Sequence, residues 1–225
     1  MTSSTGPNAA GGLLIVTAVD AERDAVARGL GAEARVAVGP YEALRGRGVT
    51  IVAGGVGPAA AAAATATALS LAPGEYGLAV SAGIAGGFAG RAAPGEVVEA
   101  TLIVAADLGA ESPDGFLTLE ALGFGSGEVL ATPLGIRGAR RGPVLTVSTV
   151  TGSEARAAEL AARGAYAEAM EGFGVAEAAS RHGVPVAELR AISNLVGLRA
   201  AATWDIAGAL GALSGAAHEL PGVLA

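Results

Sequence analysis

"LRAISNLVG", Leu189 to Gly197, is a short run suited to a buried strand, LRAIS, that passes into a polar residue and then a glycine. Strand ends of this kind are where α/β folds gather ligands and chemistry. The side chain delivered there is Asn194, a carboxamide, which does not release a proton as a carboxylic acid does. A site built at this point therefore uses an amide where an acid is the more obvious tool.

Outward from this strand the chain alternates strand and helix. "LLIVTAV" (13–19) is a continuous apolar run, as expected of a strand buried on both faces, and Asp20 caps a helix predicted over 21–30. "VTIVAGG" (49–55) reads as a second strand. "VGPAAAAAATATALSLA" follows as a helix, with Pro58 placed for its first turn and alanine favouring the helix throughout. "YGLAVSAG" (76–83) is a strand ending in the glycine-rich "GIAGGF", and 95–109 is a long strand or strand pair. The segment 110–142 reads as a long loop with one helical turn, and long loops in compact domains usually carry function. "GPVLTVSTV" (142–150) is a strand, 153–164 an amphipathic helix, 167–183 an edge segment leading into a helix, 184–194 the last strand, and 200–217 a closing helix. This pattern predicts a three-layer α/β/α sandwich with a mixed central sheet. Residues 1–12 are expected to form a flexible tail and 13–225 a single domain.

Composition narrows the chemistry. Of 225 residues 52% are hydrophobic and only 4% aromatic, so the core is built from Ala, Val, Leu and Ile. A net charge of −7 without a basic run argues against nucleic acid as a partner. No apolar run approaches the ~20 residues of a membrane span. The N-terminus lacks a charged segment followed by an apolar one, so no signal peptide is expected and the cytoplasm is the default location. There is no Cys, which removes disulfides, thiolate nucleophiles and cysteine-bound metals. All 14 basic residues are Arg, which removes Schiff-base chemistry and the P-loop lysine. The two histidines, His182 and His218, lie on polar helical stretches near helix ends and read as surface residues. Carboxylates, amides, hydroxyls, Arg and backbone are left to do the work.

Three polar residues stand beside strand ends: Glu22 in "TAVDAERDAV", Glu171 in "AMEGFG", and Asn194. Each also has a plain structural reading. Either glutamate suits the positive end of a helix dipole, and the asparagine suits a cap on its own backbone. The turns "AGGVGPA" and "SAGIAGG" are either backbone donors for a ligand or tight strand-to-helix connections; neither fits a dinucleotide or P-loop signature.

Taken in order, "TAVDAE", "GGVGPAAAAAAT", "SAGIAGG", "STVTGS", "AMEGFGVA" and "LRAISN" resemble the nucleoside phosphorylase and nucleosidase superfamily over roughly residues 13–217. "ADLGAESPDGF", the Asn of "AISN", and "VGLR" followed by Trp204 point within it to the futalosine hydrolases, a family similar to the methylthioadenosine/adenosylhomocysteine nucleosidases. The resemblance implies hydrolysis of an N-glycosidic bond, with hypoxanthine released from futalosine on a route to menaquinone, and no cofactor or metal. The alternatives are cleavage of adenine-containing thioethers, phosphorolysis of purine nucleosides, and a nucleoside-binding protein without catalysis. The acids of "VTAVDAERDAV", where phosphorylases tend to carry Gly and Arg, favour hydrolysis.

By the same resemblance Glu22 activates water, Glu171 grips the ribose hydroxyls and Met170 packs on the sugar. Asn194 stands where adenine-releasing relatives have an aspartic acid, and an amide N–H suits a 6-oxo group. The backbone of Val150 reads the purine edge, and Ile84 replaces a serine of those relatives. Phe173 is a stacking candidate, Trp204 covers the 5′ substituent, and Arg199 pairs with its carboxylate. The acid that usually follows this Arg is absent from "LRAAATW". The partner is thus a small nucleoside, and the chain is expected to form a homodimer or larger homo-oligomer, with Phe116 and Phe124 of 110–126 as candidate contacts.

Overall fold

The computed structural model describes residues 11–113, 115–198 and 204–220. Its centre is a mixed sheet whose strands are buried because helices cover both faces. Strand β1 (Gly12–Thr17) is followed by helix α1 (Asp20–Leu30). Strands β2 (Ala34–Val38), β3 (Tyr41–Gly46) and β4 (Val49–Ala53) form an antiparallel meander. Helix α2 (Pro58–Leu71) leads to the long β5 (Tyr76–Gly87), then β6 (Val97–Ala105), the hairpin β7 (Gly109–Ser112) and β8 (Gly115–Thr118), and the short β9 (Glu128–Leu130). The chain continues through β10 (Arg140–Thr146), α3 (Glu154–Ala161), β11 (Ala167–Ala169), α4 (Gly172–Arg181), β12 (Val186–Leu195) and α5 (Ile206–Ala217). Among the described residues no helix is long and apolar enough to cross a membrane.

The three-layer reading holds. Along β1 the side chains alternate, Leu14 and Val16 joining one apolar layer and Leu13 and Ile15 the other, as the period of two requires. The first layer lies under α2 and α4, which pack on each other; the second lies under α1 and α5, which do the same. Alanines fill the close approaches: Ala61, Ala64, Ala68, Ala176 and Ala179 are all buried.

The strand order is β11-β10-β6-β12-β5-β1-β4-β3-β2, and β11 also pairs with the far end of β5. The sheet therefore curls, and five strands (β5, β12, β6, β10 and β11) close on themselves. Closure depends on β5, which the sequence reading ends at Gly83 and which in fact runs on through "IAGG" to Gly87. Its first part lies between β1 and β12, and its last two residues, Gly86 and Gly87, pair antiparallel with Glu168 and Ala167. Small residues there let three backbones converge.

The other departures have similar causes. Strands β2 and β3 have no counterpart in the sequence reading, because exposed and buried residues mix along them at the sheet edge. The expected loop over 110–142 contains the β7–β8 hairpin and the β9 strand paired to β6, elements of three or four residues too short to show a period. Strand β10 ends at Thr146, so Val150 sits beyond it in a loop. Helix α5 starts at Ile206, and 200–203 of the expected helix fall outside the described residues. Strand β1 already includes Gly12.

Candidate active site

A cavity of about 270 Å³ opens where the ends of β1, β5, β11 and β12 meet, a volume near the lower end for small-molecule sites. Glu22, Ile84, Val150, Met170, Glu171, Asn194 and Trp204 all line it, although they come from six separate segments of the chain. Curling of the sheet brings Met170 and Glu171, at the end of β11, across from Glu22 beyond β1 and Asn194 on β12.

Each carboxylate is held by backbone donors. Glu22 lies in the first turn of α1, where an acid complements the helix dipole. Its Oε2 accepts the N–H groups of Ala18 (2.9 Å) and Val19 (3.3 Å), and its Oε1 accepts the Ile84 N–H at 2.8 Å. The structural and functional readings of Glu22 thus describe one arrangement, in which the cap fixes the rotamer that faces the cavity. Glu171, the N-cap of α4, accepts from Gly57 N–H (3.2 Å) and Met170 N–H (3.3 Å). The two glycine-rich turns therefore direct Gly57 and Ile84 donors at these carboxylates.

Between them lies Arg190, fully buried on β12 and missed by the sequence reading. Its Nη1 donates to Glu171 Oε2 (3.2 Å), its Nε to Glu188 Oε1 (2.9 Å) and its Nη2 to Ser81 Oγ (2.7 Å). Gly83 shows how tightly this cluster is built: a Cβ on it would lie 2.6 Å from Glu22 Oε1 and 2.7 Å from Arg190 Nη1. The signal was present in "VAELRAIS", where two charged residues interrupt a strand otherwise suited to burial. Reading them as a pair required knowing that both face the same interior.

Three buried carboxylates around one guanidinium give the site an acidic balance. Burial pushes the Glu22 carboxyl above the ordinary glutamate range, outweighing the Ile84 N–H and the Arg190 charge that pull it down. Burial does the same to Glu188, again against Arg190. Burial works against the Arg190 charge, but Glu188, Glu171 and Glu22 prevail and raise its pKa. Such a cluster favours positive charge developing on a group bound beside it, and a carboxylate with a raised pKa is the stronger base.

Asn194 is displaced onto the cavity side by an irregularity in the β12–β5 register between Ile192 and Asn194. Its Oδ1 accepts from the Ser193 hydroxyl (2.8 Å) and its Nδ2 donates to Leu195 O (2.9 Å). An amide nitrogen carries two hydrogens, so one remains for a ligand. Opposite, Glu168 accepts the Thr151 N–H at 2.8 Å and the Thr151 hydroxyl, and lines the same cavity. Glu168, Thr151 and Ser193 were also missed; nothing local marks them, since their partners are distant in sequence.

Two expected residues stand apart. Phe173 is not among the residues lining the cavity; its half-buried ring packs on the α2–α4 side of the core, and its N–H donates to Thr146 Oγ1. Arg199 lies outside the described residues. His182 and His218 are exposed at the ends of α4 and α5, where they contact Ala178 O and Gly29 O respectively. Phe124 is exposed, whereas the Phe116 ring lies beneath the Arg163 guanidinium, 5.4 Å from its centroid.

Residues 14–224 match the family model of the phosphorylase superfamily. The chain is 54% identical to futalosine hydrolase of Streptomyces coelicolor, a match covering 94% of this chain and 96% of the relative. It is 48% identical to futalosine hydrolase of Acidothermus cellulolyticus, covering 88% of this chain and 85% of that one. The chain belongs to the futalosine hydrolase family of the phosphorylase superfamily.

Among solved structures, native futalosine hydrolase of Helicobacter pylori superimposes with a TM-score of 0.75 at 17% identity, over 96% of this chain and 97% of that chain. The 5′-methylthioadenosine nucleosidase of Arabidopsis thaliana gives 0.80 at 21% identity, over 95% of this chain and 96% of that chain. These likenesses show a shared fold. As a member of the futalosine hydrolase family the protein is a hydrolytic N-glycosidase, acting on small-molecule nucleosides.

Proposed function

We propose that the protein hydrolyses futalosine to hypoxanthine and dehypoxanthine futalosine, as a step toward menaquinone. In this reading Glu22 takes a proton from water as the water oxygen bonds to C1′. The C1′–N9 bond breaks, its electron pair leaves with the base, and the base anion takes up a proton to become hypoxanthine as Glu22 gives back the one it removed from water. The Glu171 carboxylate binds the ribose hydroxyls, Met170 packs on the sugar, and the acidic cluster around Arg190 favours the cationic character of the ribosyl group in the transition state. The departing base carries negative charge on its 6-oxo and N7 edge, and the remaining N–H of Asn194 donates to that edge.

The observation that carries the choice of base is the Asn194 amide, with its carbonyl engaged by Ser193 and a hydrogen left for the cavity. A donor suits the 6-oxo group and does not suit the donor hydrogens of a 6-amino group. The test is base release from futalosine, inosine and methylthioadenosine in phosphate-free buffer, for the wild type and Asn194→Asp. Hypoxanthine from futalosine is expected, with methylthioadenosine cut poorly. The Asp variant restores an acid able to protonate N7, and its relative rate on the 6-amino substrate should rise by about 100-fold, the scale of one general acid. Comparable adenine release by the wild type would overturn the base assignment, and a requirement for phosphate would overturn hydrolysis.

Trp204 lines the cavity and is assigned here to the 5′ substituent, with Arg199 assigned to its carboxylate through charge pairing. The enzyme is further proposed to act as a homodimer or larger homo-oligomer. Val19 and Val56 line the cavity and are 42% and 58% exposed, an apolar rim suited to cover by a second copy. Light scattering at micromolar concentration is expected to give at least twice the 21.6 kDa chain mass; a monomer mass would refute it.

A further inference from the structure

The cavity contains one carboxylate that the chemistry at C1′ does not use. Glu168 is only 5% exposed, and among the described residues it forms no ion pair. Among the described residues its hydrogen-bond partner is Thr151, which supplies an N–H to one oxygen and a hydroxyl to the other. Each oxygen keeps a further lone pair. A carboxylate retained in a binding cavity without a cation is costly unless something that binds there brings a donor.

Its position indicates which donor. Glu168 pairs with Gly86 on one side of β5, and Asn194 pairs with the same Gly86 on the other. Residues in register on adjacent strands project to the same face, so the two side chains flank Gly86 with their Cα atoms about 10 Å apart, two strand spacings. Gly86 has no side chain; a Cβ there would sit 2.9 Å from Val196 Cγ2 and 3.4 Å from Asn194 Nδ2, so the Val196 methyl bounds the face above it. The cavity, which Val196 also lines, thus has an amide donor at one edge of Gly86 and a carboxylate acceptor at the other.

We propose that Glu168 is a specificity-determining residue: its carboxylate accepts the N1–H that a 6-oxopurine carries and a 6-aminopurine lacks. The assignment rests on the base reading given above. Asn194 and Glu168 then test two neighbouring atoms of one edge. A 6-oxopurine answers acceptor to donor and donor to acceptor, whereas a 6-aminopurine offers its N1 lone pair to a carboxylate. Sites built to hydrogen-bond one pattern reject its mismatch strongly, because buried groups are left unpaired.

The experiment compares kcat/KM for futalosine with that for its 6-amino counterpart, which shares the same 5′ group, in the wild type and Glu168→Gln. Gln presents an N–H to N1, so the 6-oxo to 6-amino ratio should fall by at least about 100-fold in Glu168→Gln. An unchanged ratio in folded Glu168→Gln overturns the assignment. A wild type without preference overturns the base reading and this inference together; a selective wild type with an unaffected Glu168→Gln overturns the inference alone. If Glu168→Gln does not fold, product inhibition of the wild type decides: 1-methylhypoxanthine, which lacks the N1–H, should inhibit at least about 100-fold more weakly than hypoxanthine, and equal inhibition refutes the proposal.

Discussion

Glu22→Gln lowers kcat by about 10²- to 10⁴-fold, the range for removing a positioned general base, while the fold persists. Gln keeps a carbonyl oxygen for the Ala18 and Val19 or the Ile84 donors, so the helix start is disturbed only locally. It has no basic carboxylate to take the proton of water. The pH dependence separates this role from a structural one. Burial raises the Glu22 pKa, and the reaction needs the ionised form. The acid limb of the wild-type kcat/KM profile should therefore lie above about pH 4.3, the ordinary glutamate value, with activity gained as pH rises through the raised pKa. In Glu22→Gln that limb disappears. A variant retaining a tenth or more of wild-type kcat would remove Glu22 from the mechanism, as would an unchanged acid limb.

Arg190→Met has the largest expected effect on stability. The side chains have similar length, so the loss is mainly of charge and hydrogen bonds. Glu171 and Glu188 lose an ion-pair partner at 3.2 and 2.9 Å, and Ser81 loses a donor at 2.7 Å. Removing one member of a buried ion pair costs about 3–5 kcal/mol, read as a fall in the denaturation midpoint in urea. The sign of its pH dependence follows from the carboxyls left behind. Burial already raises Glu22 and Glu188, with Arg190 opposing it, so its loss raises them further. Groups with raised folded pKa values favour the fold below the unfolded pKa, and that advantage is lost as pH rises through the folded one. The penalty of Arg190→Met should thus be larger at pH 8 than at pH 5. Adding Glu188→Gln should recover part of it, with a coupling of about 0.5–3 kcal/mol. A penalty independent of pH, or additivity of the two substitutions, would show that the cluster is not held by charge.

These predictions draw on different levels of the molecule. Glu22, Glu171 and Asn194 were legible because each lies beside a strand end, at a place where α/β folds gather ligands, and each has a local reason to be polar. Arg190 and Glu188 were visible as charges in an apolar strand but had no partner in sequence to explain them. Glu168 and Thr151 carried no signal, because their relation exists only once β11 and the loop after β10 are side by side. Phe173 shows the converse: its neighbours in sequence, Met170 and Glu171, line the cavity, whereas its own half-buried ring packs against the core on the α2–α4 side.

The sequence by itself determined the alternation of strands and helices, the three layers and the exclusion of thiol and amine chemistry, because hydrophobic period, capping and composition act over short stretches of chain. Only the tertiary structure decided how β5 runs on through its glycines, how five strands close, and hence which side chains meet across Gly86. The hydrogen bonds that build the site likewise join distant residues, Gly57 and Glu171 being 114 positions apart. No local propensity specifies such a pair; it follows from strand register and from the need to satisfy buried charges at a point where several strands converge.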